Sequence, residues 1–394
     1  MIERVIASNI VDLASWYPIV SVTGPRQSGK TTLVKSIFTD YEYVNLEDPQ
    51  VFSRATIDPS GFVASLSPCT IIDEAQRAPE LFSALQARVD RDSIMGEFIL
   101  SGSQNFLLLR SIKQSLAGRV GIAYLPPLTH SELFAYDKDS SAADQEIDLA
   151  IQQEIVRGFY PGLHVSPIPT PVFYDNYVDT YVTRDVVGYL DVRNESDFRS
   201  FLVACADRAG SLVNYAGIAR DVGVSVQTVK SWLSILQSSF LIHLLRPYAA
   251  NVSKRLTKAP KLYFLDTGLL CHLLSIQSGQ ELARSSHYGS VFESFIISEQ
   301  LKRHYAKLRR PALYFYRDDS KIEVDMLDLT PRAPRCLCEI KSSMTYRSRF
   351  SSGVRTVARD LDWQQGEMDV IYAGTGSFQD GDVHVYGAQE WLDR

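Results

Sequence analysis

Apolar residues are grouped differently along the chain. Up to about residue 135 they form short continuous runs, Ile19–Thr23, Cys69–Ile72, Phe98–Leu100 and Val120–Leu125, the first three leading into small or charged residues. Such runs, with helical segments between them, predict strands of an α/β fold. The middle is polar and then helical. Asp137 to Gln153 reads as a loop followed by a lid-type helix. The stretch from Gly158-Phe159-Tyr160-Pro161-Gly162 to Pro167, Pro169 and Pro171 reads as a linker. Helical spacing returns over Tyr174–Val187, Phe198–Ala209, Asn214–Asp221 and Val226–Leu236. Phe240–Leu245 and Lys261–Leu265 look like strands of a wing. Beyond them, Gly289–Glu299 predicts an amphipathic helix, and Leu313–Arg317, Ile322–Leu329 and Cys336–Lys341 predict three strands. The expected division is 1–135, 136–195, 196–268 and 269–394.

The first strand runs straight into Gly24-Pro25-Arg26-Gln27-Ser28-Gly29-Lys30-Thr31-Thr32. This is the G-x-x-x-x-G-K-[ST] spacing with a strand before it and a helix after it. The glycines let the backbone wrap phosphate oxygens, and the helix start supplies N–H groups and positive potential. Lys30 is expected on the β- and γ-phosphates of ATP and Thr31 on Mg2+. Asp73 and Glu74 close the second apolar run. Asp73 is expected to hold the Mg2+ shell from a strand beside the P-loop strand, and Glu74 to polarise the attacking water. Ser103, Gln104 and Asn105 are equal candidates for a γ-phosphate sensor. Arg119 reads either as a finger stabilising transition-state charge or as a surface ion pair.

The runs GPRQSGKTTL, YVNLEDP, IIDEAQRAPELF, FILSGSQNFLL and SLAGR, in that order, resemble a widespread prokaryotic group of AAA-type ATPases. In that group the C-terminal part is catalogued as domain of unknown function 4143. The resemblance spans nearly the whole chain. It implies an ATP-binding and ATP-hydrolysing P-loop domain of AAA type and leaves the biological role open. Because AAA relatives often form rings, a homo-oligomer is one expectation.

Asn214–Asp221, the turn Val222-Gly223-Val224, the cap Ser225 and Val226–Leu236 follow a helix-turn-helix pattern. Gln227, Thr228, Lys230 and Ser231 would face bases or phosphates. Many helical bundles mimic this pattern, so a packing module is the plain alternative. In the last third, Glu339 and Lys341 are two apart in one strand and therefore share a side. Asp325 lies in the preceding strand and Glu293 in the helix before it. These four positions resemble PD-(D/E)XK nucleases, with Val324 where the superfamily name has Pro. The resemblance implies Mg2+ on Asp325 and Glu339, with Lys341 and Glu293 acting on a phosphodiester. The expected fold class is thus an α/β P-loop sheet, a winged-helix domain and an α/β restriction-endonuclease-like domain.

The 394 residues, 45% hydrophobic and 22% charged, exclude a disordered or fibrous chain. No apolar stretch suits a membrane span, and Met1-Ile2-Glu3-Arg4 shows no secretory pattern, so a cytoplasmic protein is expected. Five scattered cysteines without a CxxC pair argue against disulfides and zinc. The net charge of −6 excludes a uniformly basic coat, but residues 201–265 hold eight Lys and Arg against two acids. DNA contact through 211–261 is therefore a candidate partner interaction. Two readings stay open. One is an ATPase coupling nucleotide state to nucleic-acid binding and cleavage. The other is a nucleotide-dependent switch, or a STAND-like signalling ATPase, binding DNA or protein without cutting.

Overall fold

The structure is a computed structural model that describes residues 1–102, 115–139, 147–182, 195–248, 259–318, 322–364 and 366–394. The sensor candidates Ser103, Gln104 and Asn105, the end of the helix expected at 174–187, and Lys254, Arg255 and Lys258 lie outside them. The chain forms two compact units. One comprises Met1–Leu128 with Ser238–Phe240 and Tyr305–Leu308, and the other holds the remainder.

The first unit is built on five parallel strands: β1 (Ile19–Thr23), β2 (Glu42–Asn45), β3 (Thr70–Asp73), β4 (Phe98–Gly102) and β5 (Val120–Tyr124). Their order is β2-β3-β4-β1-β5. Strands β1, β3 and β4 are buried along their whole length, as sheets covered on both faces require. Val20 and Val22 pack with Leu33 and Val34 of helix α1 (Lys30–Ile37) on one face. Ile72 and Leu100 pack with Leu81, Phe82 and Leu85 of α2 (Leu81–Asp92) on the other. The expectation that Asp73 ends a strand beside the P-loop strand is corrected here. β4 lies between β1 and β3, because the hydrogen-bond register pairs Ile19 and Thr70 with the same residue, Phe98.

The second unit carries helices and an eight-stranded sheet. The helix expected as a lid, found at Ile147–Arg157, belongs to this unit, as does Thr170–Tyr177. Asp266 helps fix them. Buried, it accepts from Leu269 N–H at 2.8 Å as a helix cap, from Phe159 N–H at 2.8 Å and from the Tyr174 hydroxyl at 2.6 Å.

Helices α3 (Glu195–Asp207), α4 (Tyr215–Val222) and α5 (Val226–Ser238) follow. Gly223, at φ 81°, ends α4 in the left-handed region, and Ser225 caps α5 by accepting from Thr228 N–H at 3.0 Å. Val229, Trp232, Leu233 and Leu236 are buried, with Phe198 and Phe201 edge-on to Trp232.

Strands β6 (Ile242–Pro247) and β7 (Lys261–Phe264) pair antiparallel, as a wing would. They are nevertheless continuous with the C-terminal sheet, because β6 pairs with β8 (Leu313–Arg317). Next to β8 come β9 (Glu323–Asp328), β10 (Cys336–Lys341) and β11 (Glu367–Tyr372). Completed by β12 (Ser377–Asp380) and β13 (Val383–Gly387), the order is β12-β13-β11-β10-β9-β8-β6-β7. Helix α6 (Tyr288–Ala306) precedes β8, and α7 (Arg349–Asp360) connects the parallel pair β10 and β11. Phe350, Val354 and Val357 of α7 pack on Leu337, Val370 and Val385.

Candidate functional site

The P-loop is held by its own backbone. Gln27 at φ 60° and Gly29 at φ 89° lie in the left-handed region. A Cβ on Gly24 would stand 2.1 Å from the Leu125 carbonyl oxygen, so only glycine fits. Gly29 caps α1, whose first N–H groups face the loop. The buried Lys30 ammonium donates to the carbonyls of Gly24 at 3.0 Å and Pro25 at 2.7 Å. Burial pulls its pKa down to about 8, and Glu74 and Asp73 only partly oppose this.

Asp73 is the hub. It accepts from Thr31 Oγ1 at 2.9 Å, from the Tyr43 hydroxyl at 2.7 Å and from Ser101 Oγ. Thr31 and Asp73, the two oxygen ligands a P-loop magnesium needs, are thus adjacent, and this set fits a hard cation. Glu74 follows at φ 53°, its carboxylate accepting from Gln76 Nε2. Arg4 braces the loop from outside: its guanidinium donates to Ser28 O at 2.8 Å and Pro126 O at 2.7 Å. Tyr43, Ser101, Gln76 and Arg4 were not singled out from sequence as site residues. Ser101 became legible only once β4 was seen beside β3.

Arg119 requires a correction. Its carbonyl accepts from Ile19 N–H at the start of β1, the end of the sheet opposite the P-loop. Its guanidinium pairs with Asp90 at 2.5 and 2.8 Å. It is a surface ion pair, and it does not reach the nucleotide site of its own chain.

The second site lies where α6, β9, β10 and β7 meet. Lys341 Nζ is 2.5 Å from Glu339 Oε1 and 3.5 Å from Asp325 Oδ2, and that Asp325 oxygen also accepts from Ile340 N–H at 2.9 Å. Lys261 Nζ is 3.0 Å from Glu293 Oε1, 2.5 Å from Glu323 Oε1 and 3.7 Å from Asp325 Oδ1. Tyr263 donates to Glu293 Oε1 at 2.5 Å. All four residues named from sequence, Glu293, Asp325, Glu339 and Lys341, therefore converge.

Lys261 belongs to the basic stretch expected to contact DNA, and here the expectation is corrected. It is 5% exposed and points into the cluster. The only clue in sequence was that it opens a β-type run.

Burial, and then the charge of Asp325, push Glu293 up to about 7 and Glu339 up to about 8. Burial alone would lower the two lysines. The carboxylates outweigh it, Asp325 and Glu339 around Lys341 and Glu293 and Asp325 around Lys261, and hold both ammonium groups above their ordinary value. Glu339 Oε2 is buried without a hydrogen-bond partner, an oxygen ready for a cation. A divalent ion on Asp325 and Glu339 fits this donor set.

Two other features bear on function. Cys336, Glu367 and Asp369 bring their donor atoms within 4.8 Å of one another, but Arg394 pairs with both acids, at 3.1 and 3.5 Å. On α5, Gln227 and Lys230 are exposed, while Thr228 and Ser231 are half-buried. No helix among the described residues is long and apolar enough to cross a membrane.

Comparison with known proteins matches three segments of the chain. Residues 17–134 match the AAA domain, 149–280 a domain of unknown function (DUF8612) and 288–391 a second one (DUF4143). An uncharacterized protein of Mycobacterium tuberculosis is 32% identical over 372 residues, covering 93% of this chain and 79% of that one. One of Haemophilus influenzae is 22% identical over 314 residues, 72% and 74% of the two chains. Among solved structures, a Walker-type ATPase of Pyrococcus abyssi aligns with a TM-score of 0.45 and 14% identity, over 70% of this chain and 96% of that one. With its P-loop, its AAA-domain match and its long alignment to the mycobacterial protein, the chain belongs to that protein's family, AAA-type ATPases with a DUF4143 C-terminus.

Proposed function

We propose that this nucleotide-binding ATPase couples its nucleotide state to nucleic-acid binding and to phosphodiester cleavage in its C-terminal half. In the ATPase unit, the P-loop N–H groups and Lys30 would hold the phosphates. Thr31 and Asp73 would hold Mg2+, and Glu74, positioned by Gln76, would orient the attacking water.

The observation that carries the cleavage reading is the convergence of Glu293, Asp325, Glu339 and Lys341 from one helix and two antiparallel strands. Mg2+ bound there would neutralise phosphate charge and acidify a water. Asp325, fixed by Ile340 N–H, and Glu339, with its unpartnered oxygen, would hold the ion. Lys341, kept as an ammonium, would orient the water and stabilise charge on the phosphate rather than remove a proton. The helix-turn-helix geometry of α4 and α5, followed by the β6–β7 hairpin, supports a winged-helix reading of the neighbouring segment.

The rival reading, a switch that binds DNA or protein without cutting it, is favoured by one observation: two ammonium groups already sit among the carboxylates. A nuclease assay with Mg2+, comparing the natural protein with Lys341→Ala, separates the two. Loss of cleavage in the variant supports a catalytic site, and equal background in both leaves the switch.

A further inference from the structure

Lys261 takes no part in the chemistry above, yet it is the most enclosed cation of the cluster. Its strand, β7, is last in the order of the eight-stranded sheet, beyond β6 and β8, and its side chain nevertheless reaches carboxylates of β9. The ammonium lies 5.5 Å from the Phe315 ring and touches carboxylates from two elements, Glu293 of α6 and Glu323 and Asp325 of β9.

Ammonium groups and divalent ions demand different spacing. Oxygens stand about 2.7–2.9 Å from an ammonium nitrogen but about 2.0–2.1 Å from Mg2+, so a cluster shaped for the first is wider. Among the described residues, the three donors that close to within 4.8 Å of one another are Cys336, Glu367 and Asp369, not the acids around Lys261. The charge balance agrees. Four carboxylates, Glu293, Glu323, Asp325 and Glu339, face two ammonium groups, Lys261 and Lys341, and the Arg317 guanidinium, 3.5 Å from Glu323. Even with all four ionised, one negative charge remains, which one divalent ion already outweighs and a second would leave far exceeded.

We propose that Lys261 is a built-in counter-cation standing where a second divalent ion would otherwise bind. It reserves Glu293, Glu323 and Oδ1 of Asp325, and leaves one divalent position at Asp325 Oδ2 and Glu339. Lys261 is thus a positioning residue that makes the site a one-ion site. The inference rests on the phosphodiester reading of the same cluster.

The test counts ions rather than turnover. In full-length, nucleotide-free protein carrying Asp73→Asn to silence the P-loop ion site, Mn2+ is titrated by calorimetry and followed by electron paramagnetic resonance. With Lys261 intact we expect one equivalent. Lys261→Met should bind two, with the broadening of a spin-coupled pair, and Mn2+ should raise its melting temperature more than that of the intact protein. Lys261→Arg should stay at one. Two equivalents with Lys261 intact, or one in Lys261→Met, overturn the counter-cation. No Mn2+ bound with Lys261 intact overturns the phosphodiester reading beneath it. The intact-lysine count stands even if Lys261→Met fails to fold.

Discussion

Lys30, the similarly buried Lys261 and the half-buried Lys341 are the same residue type, yet the pKa of the first moves opposite to those of the other two. Lys30 touches only carbonyl oxygens, so burial dominates and draws it down to about 8. The other two are ringed by carboxylates, which overcome burial and raise them. A cation held by neutral dipoles keeps most of its field for an incoming anion, and the P-loop is built that way. A cation inside a carboxylate cluster has spent its field on its neighbours and serves to set how many further cations enter. One unit waits for a triphosphate, and the other is nearly neutralised from within.

The largest expected effect follows from the P-loop side of that contrast. Lys30→Ala removes the charge aimed at the phosphates, and ATP turnover should fall by roughly 10²–10³-fold or more, measured as phosphate release. An unchanged rate would remove Lys30 from the nucleotide site. On the other side, Lys341→Ala deletes an ammonium that faces Glu339 and Asp325. Mg2+-dependent cleavage should drop by about 10²-fold or more, while ATP turnover stays at its original rate. If both activities fall together, the two sites are not the separate machines the contrast describes.

A pH series sharpens the comparison. Glu293 and Glu339 stand at about 7 and about 8 in the fold, against 4.5 as their ordinary value. A raised carboxyl pKa means the folded state favours the proton. The resulting stability is complete below pH 4.5 and is lost as pH rises through 7 to 8. In EDTA, the natural protein should therefore lose stability relative to Glu339→Gln between pH 5 and 8, by up to about 1.4 kcal/mol per pH unit. Urea unfolding at both pH values measures this, and Mg2+ should recover the loss at pH 8. A difference that does not change with pH would mean Glu339 titrates normally.

The parts legible in sequence were those whose geometry is local. Gly24 to Thr32 is one contiguous loop and helix start, so its spacing alone names the groups. Glu339 and Lys341 share a side because strand alternation requires it, and Asp325 lies on a strand paired antiparallel with theirs. Long-range pairing was not legible. The insertion of β4 between β1 and β3 put Ser101 against Asp73, whereas spacing had pointed to the residues after it. Likewise, alternation cannot tell which surface an edge strand presents, so nothing in the basic stretch marks Lys261 as its enclosed lysine. Arg119 was left between two readings for a related reason. A loop arginine before a strand could sit at either end of the sheet until the register fixed β5 parallel to β1.

The smallest effect tests the basic segment, and it separates an exposed cation from an enclosed one. Each phosphate a protein contact neutralises releases counterions, so log K for binding falls with log salt in proportion to the number of such contacts. Lys230 is exposed on α5, one turn from Gln227, and is placed to contribute one of them. Lys261 is already balanced by three acids and should contribute none. For duplex DNA titrated between low and physiological salt, Lys230→Ala should lower the salt slope by about 1, and Lys261→Arg should leave it unchanged. A slope that responds to Lys261→Arg would place that side chain on the nucleic acid and undo the contrast. A slope indifferent to Lys230→Ala would move the contact away from α5. Either result is readable because the two lysines lie in one basic stretch of sequence and differ only in what surrounds them.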